Sequence, residues 1–182
     1  MSAPRRHGKS ANSSYSRVSQ FLQTLTHRHG DEIDQRIESL LDNDAQWRLV
    51  ARLSAFDRAH HLGVHDLLLT AGFNHPELLR AALLHDVGKS NGAHQVRLWH
   101  RVARVAGRRL APPAWSRVSS RPGGLRTGLY LAEHHASLGA AAVRATGASE
   151  RCCALILRHE ETPPTGDPLL DALINADGAA IR

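Results

Sequence analysis

Helical spacing of apolar residues is the feature that most restricts what this chain can fold into. Apolar side chains recur three and four residues apart in segment after segment, for example at Ile33, Ile37 and Leu40. Such spacing lines one face of an α-helix, and no stretch alternates apolar and polar residues long enough to indicate a strand. Aromatic residues make up only 4% of the chain, so its core must consist of Leu, Ala, Val and Ile. Since Ala and Leu are good helix formers, we expect an all-α protein.

The length and the cysteine content indicate one helical domain without disulfides. A chain of 182 residues suits a single bundle, which we place at residues 16–182, and the basic, Ser-rich residues 1–15 predict a disordered tail. Cys152 and Cys153 are neighbours and cannot easily bridge each other, which favours a reduced, cytoplasmic compartment. No apolar run has transmembrane length, and the start of the chain lacks an apolar signal region.

Capping residues and helix breakers predict where the helices begin and end. Gly72 should end a long helix, and Gly88 should end the next one. The stretch 111–124 contains three prolines and predicts a loop. The residues expected to mark helix starts are Ser54, Asn74 with Pro76, Ser149, and Asp167 with Pro168.

Arginine supplies almost all of the positive charge. The formal net charge is +6, and the only lysines are Lys9 and Lys89. A basic balance suits anionic partners. One stripe at helical spacing comprises Arg97, Arg101, Arg104 and Arg108, beside an apolar stripe of Leu98, Val102 and Val105. We interpret the arginine stripe as a solvated helix face, with phosphates, an acidic partner or a membrane surface as alternatives. Because no aromatic residues interleave with the arginines, single-stranded nucleic acid is not expected as a partner.

The pair His85-Asp86 closes the apolar run of residues 81–84. An aspartate is costly to bury there unless it is paired or bound to a metal. Adjacent side chains on a helix diverge by about 100°, so both can reach one ion only if the ion lies off the helix edge. A helix that ends at Gly88 would leave space for such an ion.

Four more potential ligands lie on or beside apolar helix faces, and a buried imidazole needs either a hydrogen bond or a metal. These residues are His60, His135, His159 and Asp177. His61 and His134 adjoin two of them and are alternatives from the residues alone. Imidazole nitrogen and carboxylate oxygen together suit divalent Fe, Mn, Zn, Ni or Co.

The order His60, His85-Asp86, Asp177 resembles the H…HD…D pattern of the HD superfamily of metal-dependent phosphohydrolases. The run ALLHDVGK is similar to the central motif of that family almost letter for letter. The segments HHASLG and ILRHEE resemble the H-x-x-x-G element and the second-site histidine of members that bind two metals. The resemblance covers a motif-bearing core at about residues 54–179, and the residues before about 45 match no part of the family pattern.

This resemblance implies a helical bundle of the HD type and a set of site residues. His60, His85, Asp86 and Asp177 would hold one divalent metal, the family spacing to Val64 selecting His60 over His61. His135 and His159 would hold a second, with Asp86 bridging. Asp86 and Lys89 would be the catalytic residues, Lys89 contacting a phosphate. The implied activity is hydrolysis of a phosphoester or phosphoanhydride in a small phosphorylated compound, with a nucleotide as the favoured substrate, by a metal-activated water.

Departures from particular family members narrow the expectation. HD-GYP cyclic-dinucleotide phosphodiesterases have His-His-Glu where this chain has Arg158-His159-Glu160, and the GYP loop is missing, so that activity is not expected. Small symmetrical diadenosine tetraphosphate hydrolases are closer in size and layout. The alternatives are a regulatory module that binds metal and nucleotide without turnover, and a di-iron oxygenase with a similar ligand set. The number of ions, the identity of the metal and the oligomeric state stay open.

Overall fold

The computed structural model describes residues 30–180, and in that part the chain forms helices and no strand. A single isolated bridge joins Ser90 and Gln95. The all-α prediction is therefore confirmed. The predicted tail at 1–15 and the expected start of the domain at 16 lie outside the described residues. The α-helices are α1 (30–40), α2 (Asp44–Val50), α3 (Ala55–Thr70), α4 (Pro76–Leu84), α5 (Leu98–Leu110), α6 (Pro112–Ser119), α7 (Thr127–Arg144), α8 (Glu150–Arg158) and α9 (Pro168–Ala180).

Short-range capping bonds set several of the helix starts. The Ser54 side chain accepts a hydrogen bond from the Asp57 amide at the start of α3, and the Ser149 side chain accepts one from the Cys152 amide at the start of α8. Asp167 Oδ1 accepts from the amides of the residues two and three positions further on, in the first turn of α9. These bonds satisfy amides that have no partner within their own helix, so these three predicted starts are confirmed. Helix α4 begins at Pro76 as expected, but His75 is its N-cap and no side chain caps it.

Two predicted boundaries differ from the structure. The stretch 111–124 contains helix α6, because Pro112 and Pro113 occupy the first turn, where a missing amide hydrogen costs nothing. The α-helical part of α4 ends at Leu84 instead of near Gly88. The chain continues past Asp86 in a short 3-10 helix at Val87–Lys89, so the His-Asp pair lies at the break between two kinds of helix.

The core surrounds α4, which packs against α3, α8 and α9. Its inward residues Leu78 and Leu84 are fully buried together with side chains from every one of those helices. Burying a leucine side chain contributes about 1.5–3 kcal/mol, so this cluster supplies much of the stability. Helices α5 and α6 pack on α7 and contribute nothing to the main cluster among the described residues.

A close approach of backbones places the 3-10 helix Val87–Lys89 against α7. A Cβ atom on Gly88 would overlap the carbonyl oxygen of His135 and would lie 2.7 Å from the amide nitrogen of Gly139. Only glycine allows this contact, which brings the His-Asp pair next to His135. Among residues 30–180, no helix is both long enough and apolar enough to cross a membrane.

Candidate metal centre

One cavity of about 660 Å³ gathers the predicted ligands from separate parts of the fold. His60 comes from α3, His135 from α7 and Asp177 from α9, while Asp86 and His159 follow the last turns of α4 and α8. These five side chains line the cavity. His85 lies directly behind them with no exposed surface. The fold therefore brings together all six residues that the sequence predicts as ligands.

The first group of donors comprises His60, His85, Asp86 and Asp177. Asp177 Oδ1 lies 2.7 Å from His60 Nε2 and 3.4 Å from His85 Nε2. His85 Nε2 is also 3.4 Å from Asp86 Oδ2. The donor atoms of His60, His85 and Asp86 lie within 4.8 Å of one another, a spacing at which they could hold one metal ion.

The second group shares Asp86 with the first. Asp86 Oδ1 lies 3.3 Å from His135 Nε2 and 3.5 Å from His159 Nε2. All three side chains are buried, and their donor atoms also lie within 4.8 Å of one another. The two oxygens of Asp86 thus face different groups of imidazoles, which is the arrangement that a bridging carboxylate requires.

Three of the imidazoles are oriented in the same way by the backbone. The Nδ1 atoms of His85, His135 and His159 lie 3.0, 3.0 and 2.7 Å from the carbonyl oxygens three residues earlier in the chain. Each Nδ1–H donates to its carbonyl, which leaves Nε2 as the ring nitrogen that faces the centre. Metal-binding histidines are commonly held in this way through their second nitrogen.

Two buried atoms of the centre have no hydrogen-bond partner among the described residues. They are His85 Nε2 and Asp86 Oδ1, and each belongs to a residue exposed by 3% or less. Nε2 of His61, whose ring lies beside that of His85, has no such partner either. Buried polar atoms are nearly always satisfied, so such atoms require an explanation. A divalent metal would displace the Nε2 proton of His85 and bind both His85 Nε2 and Asp86 Oδ1, so the donor set fits such an ion.

Electrostatic interactions within the centre shift its pKa values in opposite directions. Burial lowers the pKa of His85, but the carboxylates of Asp86 and Asp177 outweigh burial and raise that pKa to about 10. Burial lowers the pKa of His135 to about 4, because the nearby carboxylates offset the effect of burial only in part. Burial would also raise the pKa of Asp86, but the cations of His85 and Lys89 hold it well below its usual range. The carboxylates are therefore charged at neutral pH.

The geometry distinguishes between neighbouring histidines that the residues alone leave open. His61 is fully buried outside the cavity, where its Nδ1 donates to the Leu83 carbonyl oxygen at 2.9 Å and its ring lies 4.5 Å from that of His85. His134 Nε2 donates to the Ser119 carbonyl oxygen at 3.1 Å, away from the centre. His60 and His135 face the cavity instead.

Three cationic side chains line the same cavity. Lys89, predicted as a phosphate contact, forms an ion pair with Asp86 Oδ2. Arg104 binds both carboxylate oxygens of Glu160 at 2.6 Å, and Arg101 binds Asp57 Oδ1 at 2.5 Å. The interpretation of the arginine stripe as a solvated face is therefore wrong for Arg104, whose side chain is only 16% exposed.

Glu160 is a site residue that sequence reasoning missed. Its Oε1 lies 3.5 Å from His135 Nε2, and its side chain lines the cavity beside His159. Arg104 and His135 both contribute to the lowered pKa of Glu160 against the effect of burial. The only sequence signal was its position next to His159, and nothing in helical spacing shows that it turns toward the same cavity.

Comparison of the chain with protein-family models, with curated proteins and with solved structures found no match.

Proposed function

We propose that this cavity is the active site of a metal-dependent phosphohydrolase that acts on a small phosphorylated compound. The observation that carries the proposal is the pair of buried atoms without a hydrogen-bond partner, His85 Nε2 and Asp86 Oδ1, at the meeting point of imidazoles whose Nε2 atoms face inward. Separate helices contribute these donors, so their convergence is a property of the whole fold.

The donors divide into two sites with one shared carboxylate. His60, His85, Asp86 and Asp177 would hold one ion, and His135 and His159 would hold a second together with Asp86. Imidazole and carboxylate donors suit Fe, Mn, Zn, Ni or Co. An ion in such a site lowers the pKa of a water molecule toward neutrality and polarises phosphoryl oxygens.

The remaining side chains of the cavity fit a phosphorylated substrate. Lys89, Arg101 and Arg104 supply positive charge on the wall beside the donors. Charge-assisted hydrogen bonds from such groups are the strong ones for phosphate oxygens. Lys89 now neutralises Asp86, and a cation at Asp86 would replace it and leave its ammonium group to contact a phosphate.

An apolar wall completes the cavity. Phe56, Leu98 and Ile174 are among the residues that line it. Apolar surface of this kind accommodates an organic group such as a nucleoside, since ligand sites combine mostly apolar walls with a few placed polar groups. This supports a nucleotide as the substrate class.

The test is hydrolysis by purified protein that has been stripped of metal and reloaded. Protein treated with chelator is reconstituted with Mn²⁺, Fe²⁺, Co²⁺, Ni²⁺ or Zn²⁺ and assayed for phosphate release from nucleotides and model phosphodiesters. We expect turnover with at least one metal. We also expect its loss in His135→Ala and its retention in His134→Ala, a control one residue away on α7 that lies outside the cavity.

Other outcomes would identify the competing functions. Tight metal and nucleotide binding without turnover under any condition would refute the proposal and indicate a regulatory binding module. Oxygen consumption with an organic substrate by the iron-loaded protein would indicate an oxygenase instead.

A further inference from the structure

Helix α5 presents its apolar side chains to solvent instead of to the protein. Leu98 is 77% exposed, Val102 and Val105 are almost as open, and half of Trp99 is accessible. These residues recur at helical spacing and, with Leu110, form what we call the apolar face of α5. An amphipathic helix normally buries such a stripe.

The side of α5 that faces the protein is charged. Arg101, Arg104 and Arg108 pair with the carboxylates of Asp57, Glu160 and Glu133, and the Arg108 side chain remains half exposed. His100 is the only buried residue of α5. The orientation of the helix is therefore set by ion pairs, and its apolar face is left without a partner among residues 30–180.

The exposed apolar surface continues beyond α5. Leu125, which is 89% exposed, lines a shallow groove together with Trp99 and Arg97. Arg97 also borders Leu98 and Val102 in a second shallow groove. Contiguous exposed apolar surface of this kind marks interaction sites on soluble domains.

Unpaired positive charge is concentrated in the segment of the chain that carries this surface. The segment 87–132 contains nine lysine and arginine residues and no aspartate or glutamate. Four of the nine are paired with carboxylates from elsewhere in the fold. The other five are exposed and form no ion pair with any residue that the structure describes: Arg97, Arg109, Arg117, Arg121 and Arg126.

The charge selects the kind of partner. A second copy of this surface would bring like charges together. Residues 1–29 of the same chain contain five cations and no acidic residue, so they do not complement its charge either. Phosphate groups of a nucleic acid would satisfy the arginines but not the protruding apolar side chains. The surface of an anionic bilayer satisfies both, because apolar side chains enter the interface while arginines contact the lipid headgroups.

We propose that the apolar face of α5 and the five unpaired arginines dock this protein on the surface of an anionic lipid bilayer. Trp99 lies at the level of the headgroups, a position that amphipathic aromatic rings favour. Leu98 and Val105 also line the metal cavity, so the docked face borders the mouth of that cavity. The inference does not depend on the chemistry of the cavity.

The experiment uses the full chain and vesicles of defined composition. Sedimentation compares vesicles of phosphatidylcholine alone with vesicles of equal parts phosphatidylcholine and phosphatidylglycerol. We expect at least about tenfold stronger partition to the anionic vesicles, weakening as salt is added. Brominated lipids should quench the fluorescence of Trp99, and this quenching should disappear in Trp99→Phe.

Matched variants distinguish insertion from simple charge attraction. Trp99→Ser with Val102→Ser should lower the partition about tenfold, whereas Leu67→Ser with Leu69→Ser, at two exposed leucines of α3, should leave it unchanged. Circular dichroism checks that both pairs fold. Equal partition to neutral and anionic vesicles, or equal binding of the first pair and the unaltered protein, would overturn the proposal. Polyglutamate is tested as an acidic polymer without apolar groups. If the protein binds polyglutamate as tightly as it binds vesicles, and Trp99→Ser with Val102→Ser does not weaken that binding, the membrane proposal is overturned in favour of an acidic partner.

Discussion

Among single residues, Asp86 connects the most parts of the candidate metal centre. One oxygen faces His85 and Lys89, and the other faces His135 and His159. Its neighbours hold its pKa low, so it stays a carboxylate at neutral pH. Burial of such a charge is costly unless its partners are close, which explains why the surrounding imidazoles are packed so tightly.

Replacing Asp86 tests its role as the shared ligand. Asp86→Asn keeps the shape of the side chain and removes its charge. We expect metal content to fall to background and any hydrolytic activity to fall at least about 100-fold, the upper end of the loss when an outer-shell partner is removed. Elemental analysis and phosphate release measure the two effects. The control is Asp66→Asn, which removes an exposed carboxylate paired with Arg36. Normal metal content in Asp86→Asn would contradict the assignment.

Gly88 gives a second prediction at this scale. A methyl group there would collide with the backbone of α7 at His135, whereas a methyl group on Gly63, in the middle of α3, would meet nothing within 4 Å. We expect Gly88→Ala to destabilise the fold by about 1–3 kcal/mol or more, as overpacking does. Gly63→Ala should be neutral or stabilising by about 0.5–1 kcal/mol, because alanine is the better helix former. Urea unfolding compares the two variants, and equal stabilities would refute the close approach.

At the scale of elements, helix starts depend on local bonds and helix orientation on distant ones. Helix α9 illustrates the first case, because Asp167 caps it from the preceding residue. Helix α9 also shows how a distant bond sets orientation, since both carboxylate oxygens of Asp167 bind Arg151 of α8 at 2.7 Å. The same side chain thus starts α9 and joins it to α8, which positions Asp177 for the centre.

The pH dependence of stability tests this junction. The Arg151 guanidinium lowers the pKa of Asp167 from 3.8 to about 2. Because the folded pKa is depressed, this carboxylate contributes stability above pH 4, and the contribution is lost as the pH falls toward 2. Asp167→Ala should lose about 1 kcal/mol at pH 7 as a missing cap. The difference in the free energy of unfolding between Asp167→Ala and the unaltered protein should shrink as the pH falls toward 2. Thermal unfolding at several pH values measures it, and a difference independent of pH would contradict the assigned pKa.

For the whole molecule, the candidate centre joins helices that are far apart in sequence. His60 and Asp177 are separated by 117 positions in the sequence, and His60 Nε2 lies 2.7 Å from Asp177 Oδ1. Two ions that share Asp86, held by donors from α3, α7, α9 and the ends of α4 and α8, would connect all of these elements in the folded state. The unfolded chain has no such preformed site, so metal binding should stabilise the whole fold.

Metal removal provides the test at this scale. We expect Mn²⁺ or Zn²⁺ at about 1,000 times its Kd to raise the free energy of unfolding by about 4 kcal/mol, and chelator to reverse the effect. Ca²⁺, which prefers all-oxygen sites, should have a much smaller effect. Thermal unfolding with and without each ion gives the shift. No stabilisation by any of the five transition metals would rule out a built metal site.

Much of this protein follows from its sequence, because the relevant physics is local. Apolar spacing predicts the helices, and the caps at Ser54, Ser149 and Asp167 predict their starts through bonds that span three residues or fewer. The His85-Asp86 pair is recognisable because a charge that follows an apolar run needs a partner.

Only the tertiary structure decided which side of each helix faces inward. Neighbours on a helix diverge by about 100°, so spacing alone cannot choose between His134 and His135, and the contact of Gly88 with α7 does. As a pattern, the two stripes of α5 favour burial of the apolar one, and the segment 87–132 contains no carboxylate to pair with its arginines. Carboxylates from other helices turn the arginines inward and leave the apolar stripe outside, an outcome that depends on contacts between residues distant in the chain.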